Sequence, residues 1–167
     1  MPVRYAHLLD WPLSTEIFSN RGVSGIEGCV STSVGSAMQN KKFTSLITGD
    51  LAMLYDSHSL WNQNFPGNLK IIILNNGGGG IFRIIDGPGQ HKTKLDYFET
   101  PHQYNMENLA RMYNISYIGI RNETELDNAL NIIYEDTNKP YIIEVFTEQE
   151  INAATYHNYY KFIKGAN

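Results

Sequence analysis

A chain of 167 residues, 42% hydrophobic and 12% aromatic, is long enough for one domain of ordinary size with a sizeable core. Its 13 lysines and arginines are scattered among 17 acidic residues, a formal net charge of -4, which argues against the basic face that a nucleic-acid partner requires. No apolar run approaches the roughly 20 residues that span a bilayer, and the start MPVRYAHLLDW lacks the regions of a signal peptide, so a cytoplasmic location is expected.

Met1 runs within two residues into a segment that reads as structured. The chain is therefore expected to be a single domain over residues 1–167, excised from a longer multidomain protein. Residues 26–38 carry small side chains throughout (Gly28, Ser31, Ser33, Gly35, Ala37), as a helix packed closely on a sheet would. The single cysteine, Cys29, excludes an internal disulfide and reads as a small hydrophobe in that helix. Residues 43–48 and 69–74 are nearly continuous apolar runs rich in β-branched side chains, the pattern of strands buried on both faces of a parallel sheet. Between them, residues 51–61 read as one helix.

The stretch 87–103 is polar and punctuated by Gly and Pro, and reads as a long, functional loop. A helix over 106–113, a strand at Ser116–Ile120, a helix over 123–136, a strand at Tyr141–Phe146 and a last helix over 148–162 complete the chain. The 123–136 helix places Leu126, Ala129, Leu130 and Ile133 at helical spacing, with Asn122 able to cap its first turn. Strands alternating with helices predict an α/β fold with an open, mostly parallel sheet and helices on both faces.

Two short motifs directly follow the two apolar strands: Gly49-Asp50 and Asn75-Asn76. In open parallel sheets ligands settle outside the carboxyl ends of strands. The separation of 26 positions from Asp50 to Asn76 is about what helix and strand need to bring both side chains to one rim. Asp50, Asn76 and a following backbone carbonyl would offer hard oxygen ligands to Mg²⁺, leaving positions for a diphosphate. A helix start after Asp50 would favour that anion, and the glycines after Asn76 allow close approach of the backbone. The same residues fit a blander pattern, in which Asp50 caps a helix and Asn75-Asn76-Gly77 makes a tight turn. The five histidines (His7, His58, His91, His102, His157) show no metal-ligand spacing and read as surface or packing residues.

Gly49-Asp50, then 25 intervening residues, then Asn76 preceded by Asn75 resemble the signature of the thiamine-diphosphate enzymes, with Leu51 standing where that signature has a second glycine. The segments SNRGVSGIEGCVST (residues 19–32), GDLAMLYD (49–56) and NNGGGGIF (75–82) resemble one branch of that family, the 2-succinyl-5-enolpyruvyl-6-hydroxy-3-cyclohexene-1-carboxylate synthases of menaquinone biosynthesis. The resemblance implies the diphosphate-binding, carboxyl-terminal domain fold of that family, and cofactors thiamine diphosphate and Mg²⁺ or Mn²⁺. By it, Asp50, Asn76 and the Gly78 carbonyl would hold the metal, and Leu51, Ala52 and Gly79 would line the diphosphate. Ile26 would prop the bent cofactor, Ile81 and Phe82 would wall the reacting centre, and Arg4 and Arg21 would bind substrate carboxylates, a task the arginine fork suits.

The implied reaction decarboxylates 2-oxoglutarate and adds the remaining four-carbon unit to isochorismate. The activating glutamate is expected on a separate pyrimidine-binding domain, usually of a second subunit in a homo-oligomer. No catalytic residue is therefore assigned within these residues, and negligible turnover is expected of the chain alone. Two alternatives remain open: a thiamine-diphosphate decarboxylase or carboligase for another 2-oxo acid, and a non-catalytic module for Mg²⁺-diphosphate. The second alternative would have neither a P-loop nor a GxGxxG motif here.

Overall fold

A computed structural model describes residues 1–90 and 92–165, so His91 lies outside the described residues. Four strands, β1 (Thr44–Gly49), β2 (Leu69–Asn75), β3 (Ser116–Ile120) and β4 (Tyr141–Phe146), form one sheet in the order β1-β2-β4-β3. All three pairings are parallel, with Gly49 beside Leu74 and Asn75 beside Phe146. The carboxyl ends of β1 and β2 thus lie side by side, the arrangement in which α/β sheets hold ligands.

Helices cover both faces of the central strand β2, which is why it reads as a nearly continuous apolar run, whereas β1 lies at the sheet edge with Ser45 and Ile47 exposed and is not buried on both faces as expected. Leu69, Ile71, Ile73 and Ile142 form one core with Val30, Val34 and Ala37 of helix α2 (Cys29–Asn40), Met53 of α3 (Asp50–Tyr55), and Ala110 of α5 (Glu107–Met112). Ile143 and Tyr141 form the other with Ala129 and Ile133 of α6 (Glu123–Glu135), and Ile72 packs against it. Burying each of these aliphatic side chains contributes roughly 1.5–3 kcal/mol. Lys70 is also 0% exposed; its ammonium donates to the carbonyls of Gly67, Thr137 and Lys139 and lies 5.6 Å from both the Phe43 and Tyr141 ring centroids.

The boundaries of α2 differ from the expected 26–38 for a local reason. Gly28 at φ +77° turns the chain into the helix and Lys41 at φ +53° ends it. Cys29 opens this helix half-buried, and burial, reinforced by Asp56 and Glu27, pushes its thiol pKa up.

The helix expected over 51–61 is two elements. α3 stops at Tyr55, Asp56 takes φ -121°, and a 3-10 turn follows over Ser57–Trp61. Asp56, 1% exposed, instead accepts from Ser31 N at 2.7 Å and from the Ser31 hydroxyl, capping the first turn of α2 from across the core. The stretch 87–103 is not a continuous loop: a 3-10 turn at Pro88–Gln90 and helix α4 (Lys92–Glu99) occupy most of it, with Leu95 and Glu99 buried. A short helix α1 (Pro2–Ala6) precedes these elements and α7 (Gln149–Gly165) ends the chain. No helix among the described residues is long and apolar enough to cross a membrane.

Candidate functional site at the rim of β1 and β2

Asp50 stands where β1 ends and α3 begins, and only 3% of it is exposed. Its Oδ1 accepts from Leu51 N and its Oδ2 from Gly78 N, each at 2.9 Å. The carboxylate therefore bridges the two strand ends instead of capping one helix alone. This geometry also changes the expectation for a bound anion: α3 has six residues, and the Leu51 amide is already committed to Asp50.

The two asparagines divide their work. Asn75 is buried and its side chain is fully used: Nδ2 donates to Glu144 Oε1 at 2.6 Å and to the Tyr104 carbonyl at 2.9 Å, while Oδ1 accepts from Gly77 N at 2.9 Å. Asn76 is half-buried and its side-chain amide lies over Gly80, at the space that a Cβ there would fill. Gly78, at φ +151°, has conformational and steric reasons to lack a side chain, since a Cβ would fall 2.5 Å from the Glu99 carbonyl.

The glycine run is held from outside by the segment after α4. Gly79 N donates to the Glu99 carbonyl at 2.6 Å, and His102 N donates to the Gly77 carbonyl at 3.0 Å. Gly80 N donates to the Gly78 carbonyl at 3.0 Å, leaving that carbonyl a second lone pair. The amides of residues 77–80 are thus engaged within the protein, and the glycines offer close approach and carbonyls rather than free N–H groups. Arg83 locks the far end of the run, its Nε 2.6 Å from Glu99 Oε1 and its Nη2 3.0 Å from Glu99 Oε2.

The other residues singled out in the sequence distribute around this rim. Leu51 and Ala52 occupy the first turn of α3, half-buried. Ile81 and Phe82 sit half-buried in the 3-10 turn Gly80–Arg83, and Phe82 packs on Phe98 of α4 with ring centroids 5.3 Å apart. Pro2 of α1 lies against Gly49 and Met1 against Gly80. Arg21 is exposed, Arg4 half-buried, and Ile26, 42% exposed, lies outside both cores on the irregular segment before α2.

Two residues of the site carry no signal in the motifs. Glu144 is 0% exposed and accepts from Asn75 Nδ2, Met106 N and Tyr117 Oη; a charge inside the apolar run YIIEVF is the sequence sign of such a hub. His102, read from the sequence as surface or packing, has a side chain only 5% exposed, with Nε2 3.1 Å from Asp50 Oδ2. That Nε2 lies off the line of a hydrogen bond and has no other partner among the described residues. His7, His58 and His157 are exposed.

Asp50 Oδ1, the Asn76 amide oxygen and the Gly78 carbonyl are the oxygens of this rim that could serve a hard divalent cation. Among the described residues no group of three or more His, Cys, Asp or Glu is arranged to hold a metal. The donor chemistry thus fits Mg²⁺ or Mn²⁺ better than a softer ion. Two surface depressions, about 230 Å³ beside Val34 and Trp61 and about 320 Å³ beside Arg111 and Tyr117, are lined by residues outside this rim.

Residues 3–145 match the family model described as thiamine pyrophosphate enzyme, C-terminal TPP binding domain. Among curated relatives, the chain is 41% identical over 162 residues to the 2-succinyl-5-enolpyruvyl-6-hydroxy-3-cyclohexene-1-carboxylate synthase of Christiangramia forsetii, covering 97% of this chain and 28% of the relative. It is 48% and 45% identical over 159 residues to the synthases of the same name from Flavobacterium psychrophilum and Flavobacterium johnsoniae, covering 95% of this chain and 29% of each relative. The chain spans less than a third of the length of these relatives. With the all-parallel sheet and the two strand-end motifs on one rim, the family match shows that the chain belongs to the thiamine pyrophosphate enzymes, as their C-terminal TPP-binding domain.

Proposed function

We propose that this chain is the diphosphate-binding domain of a longer synthase that decarboxylates 2-oxoglutarate and adds the four-carbon unit to isochorismate. The observation that carries the reading is the Asp50 carboxylate bridging both strand ends through Leu51 N and Gly78 N, beside Asn76 and the Gly78 carbonyl. The names of the relatives support the choice of reaction.

In this reading Asp50, Asn76 and the Gly78 carbonyl hold Mg²⁺ or Mn²⁺, and Leu51, Ala52 and Gly79 shape the space for the diphosphate. When bound, thiamine diphosphate supplies the carbanion chemistry, and the protein supplies position and charge. Ile26 supports the cofactor from the irregular segment, while Ile81 and Phe82 exclude water from the reacting end. Arg4 and Arg21 bind the carboxylates of two polyanionic substrates by charge-assisted hydrogen bonds.

The carboxylate that activates the cofactor belongs, in this reading, to a pyrimidine-binding domain, and two copies of the whole protein complete each site. The reading puts the enzyme in the cytoplasm. The test is CO₂ release by the full-length protein with thiamine diphosphate, Mg²⁺ and 2-oxoglutarate, with and without isochorismate. Release that depends on isochorismate and disappears in Asp50→Ala is the expected result. Release from pyruvate instead would replace it with another carboligase, and no release from any 2-oxo acid would leave a binding module.

A further inference from the structure

Asp50 has four lone-pair positions on its two oxygens. Oδ1 takes Leu51 N–H and Oδ2 takes Gly78 N–H. The His102 ring lies beside Oδ2, with Nε2 at 3.1 Å but off the line of a hydrogen bond, and both side chains are at most 5% exposed. His102 Nδ1 accepts from Tyr104 N at 3.1 Å, so Nδ1 carries no proton and Nε2 is the N–H of the neutral ring. The ring is clamped in that orientation: it stacks on Tyr104, with centroids 5.2 Å apart and planes at 16°, and its backbone N–H is tied to the Gly77 carbonyl. A buried donor without an acceptor is costly, and the Asp50 carboxylate stands 3.1 Å from it.

We propose that His102 is a positioning residue for Asp50: its Nε2–H occupies the second lone pair of Oδ2, which leaves Oδ1 as the oxygen turned to the divalent cation. The inference rests on reading Asp50 as the cation carboxylate. A small rotation of Asp50 about its side chain brings Oδ2 into line with Nε2–H, and a cation pulling on Oδ1 favours that rotation. Carboxylates that ligate metals are commonly fixed in this way by a second hydrogen-bonding group. The segment after α4 thereby acts twice on the rim, through its backbone on Gly77 and Gly79 and through the His102 ring on Asp50.

The test uses the full-length protein with thiamine diphosphate present and Mn²⁺ as the probe, its free form counted by electron paramagnetic resonance. His102→Asn keeps an acceptor for Tyr104 N and so preserves the turn, but is too short to reach Asp50. His102→Gln restores a donor near the position of Nε2. The expected result is Mn²⁺ binding weakened about 10- to 100-fold in His102→Asn and returned to within about 3-fold of wild type in His102→Gln. Unchanged affinity in His102→Asn overturns the inference, as does equal weakening in both variants, which would mean that the ring acts by packing. Asp50→Ala separates the two levels: if it binds Mn²⁺ like the wild type, the cation site itself is misassigned and the inference falls with it.

Discussion

Replacing Glu144 by glutamine keeps the shape of a fully buried side chain and removes part of its accepting capacity. In the native chain Oε1 accepts from Asn75 Nδ2 at 2.6 Å, and Oε2 accepts from Met106 N at 2.9 Å and Tyr117 Oη at 2.7 Å. A glutamine has one carbonyl oxygen. Turned toward Met106 and Tyr117, it sets its NH₂ against the Asn75 NH₂; turned the other way, it abandons two donors. The first arrangement is the cheaper, and it loses one hydrogen bond to a charged group, roughly 1.5–3 kcal/mol. For a domain of this size each kcal/mol moves the midpoint by roughly 2–4 °C, so a drop of about 3–12 °C is expected in differential scanning calorimetry. Tyr117→Phe, which removes a donor from the same oxygen, should combine with Glu144→Gln by less than the sum of the single effects. A Glu144→Gln midpoint within about 1 °C of wild type would refute the reasoning, because it would mean that desolvating the carboxylate cancels what its three donors contribute.

Lys70→Met leaves the Gly67, Thr137 and Lys139 carbonyls without their shared donor, and a loss of about 3 kcal/mol or more is expected in denaturant unfolding. The Tyr117 phenol gives a pH dependence whose sign is fixed: burial first, and then the hydrogen bond to Glu144, raise its pKa above the ordinary value near 10. The folded chain keeps that proton longer than the unfolded one, so this stabilisation is complete below pH 10 and fades as pH climbs above it. Tyr117→Phe should therefore be less stable than wild type at pH 8, by about 1 kcal/mol, and the gap should close on the alkaline side; a constant gap would contradict the assignment.

The strand ends were legible because they depend on short-range pattern. β2 buries both faces, so residues 69–74 form an apolar run broken only by Lys70, and the strand extends only to Asn75, whose backbone still pairs with Phe146. The 123–136 helix was legible for a similar reason, with Asn122 accepting from Glu125 N at 3.0 Å as its cap. What was not legible rests on partners distant in sequence. Asp56 ends α3 because Ser31, 25 residues earlier, needs its carboxylate. Among the described side chains of α4, only Leu95 and Glu99 are buried, which makes no readable apolar stripe, and Glu99 ties the helix to Arg83 and Gly79. The motif Gly49-Asp50 with Asn75-Asn76 pointed to the rim, yet its pattern did not say that Asn75 supports the turn while Asn76 stays half-buried beside Gly80. His102 had no spacing to betray it, because its relation to Asp50 arises only when the segment after α4 folds back over the glycines.

The proposed cation and diphosphate site at the β1–β2 rim is tested most directly by calorimetric titration of thiamine diphosphate into the full-length protein, with and without Mg²⁺, beside Asp50→Ala. The account predicts saturable binding that requires Mg²⁺ and is lost in Asp50→Ala while the variant keeps the thermal midpoint of the cofactor-free wild type within a few degrees. Binding of equal strength in Asp50→Ala, or binding indifferent to Mg²⁺, would contradict it.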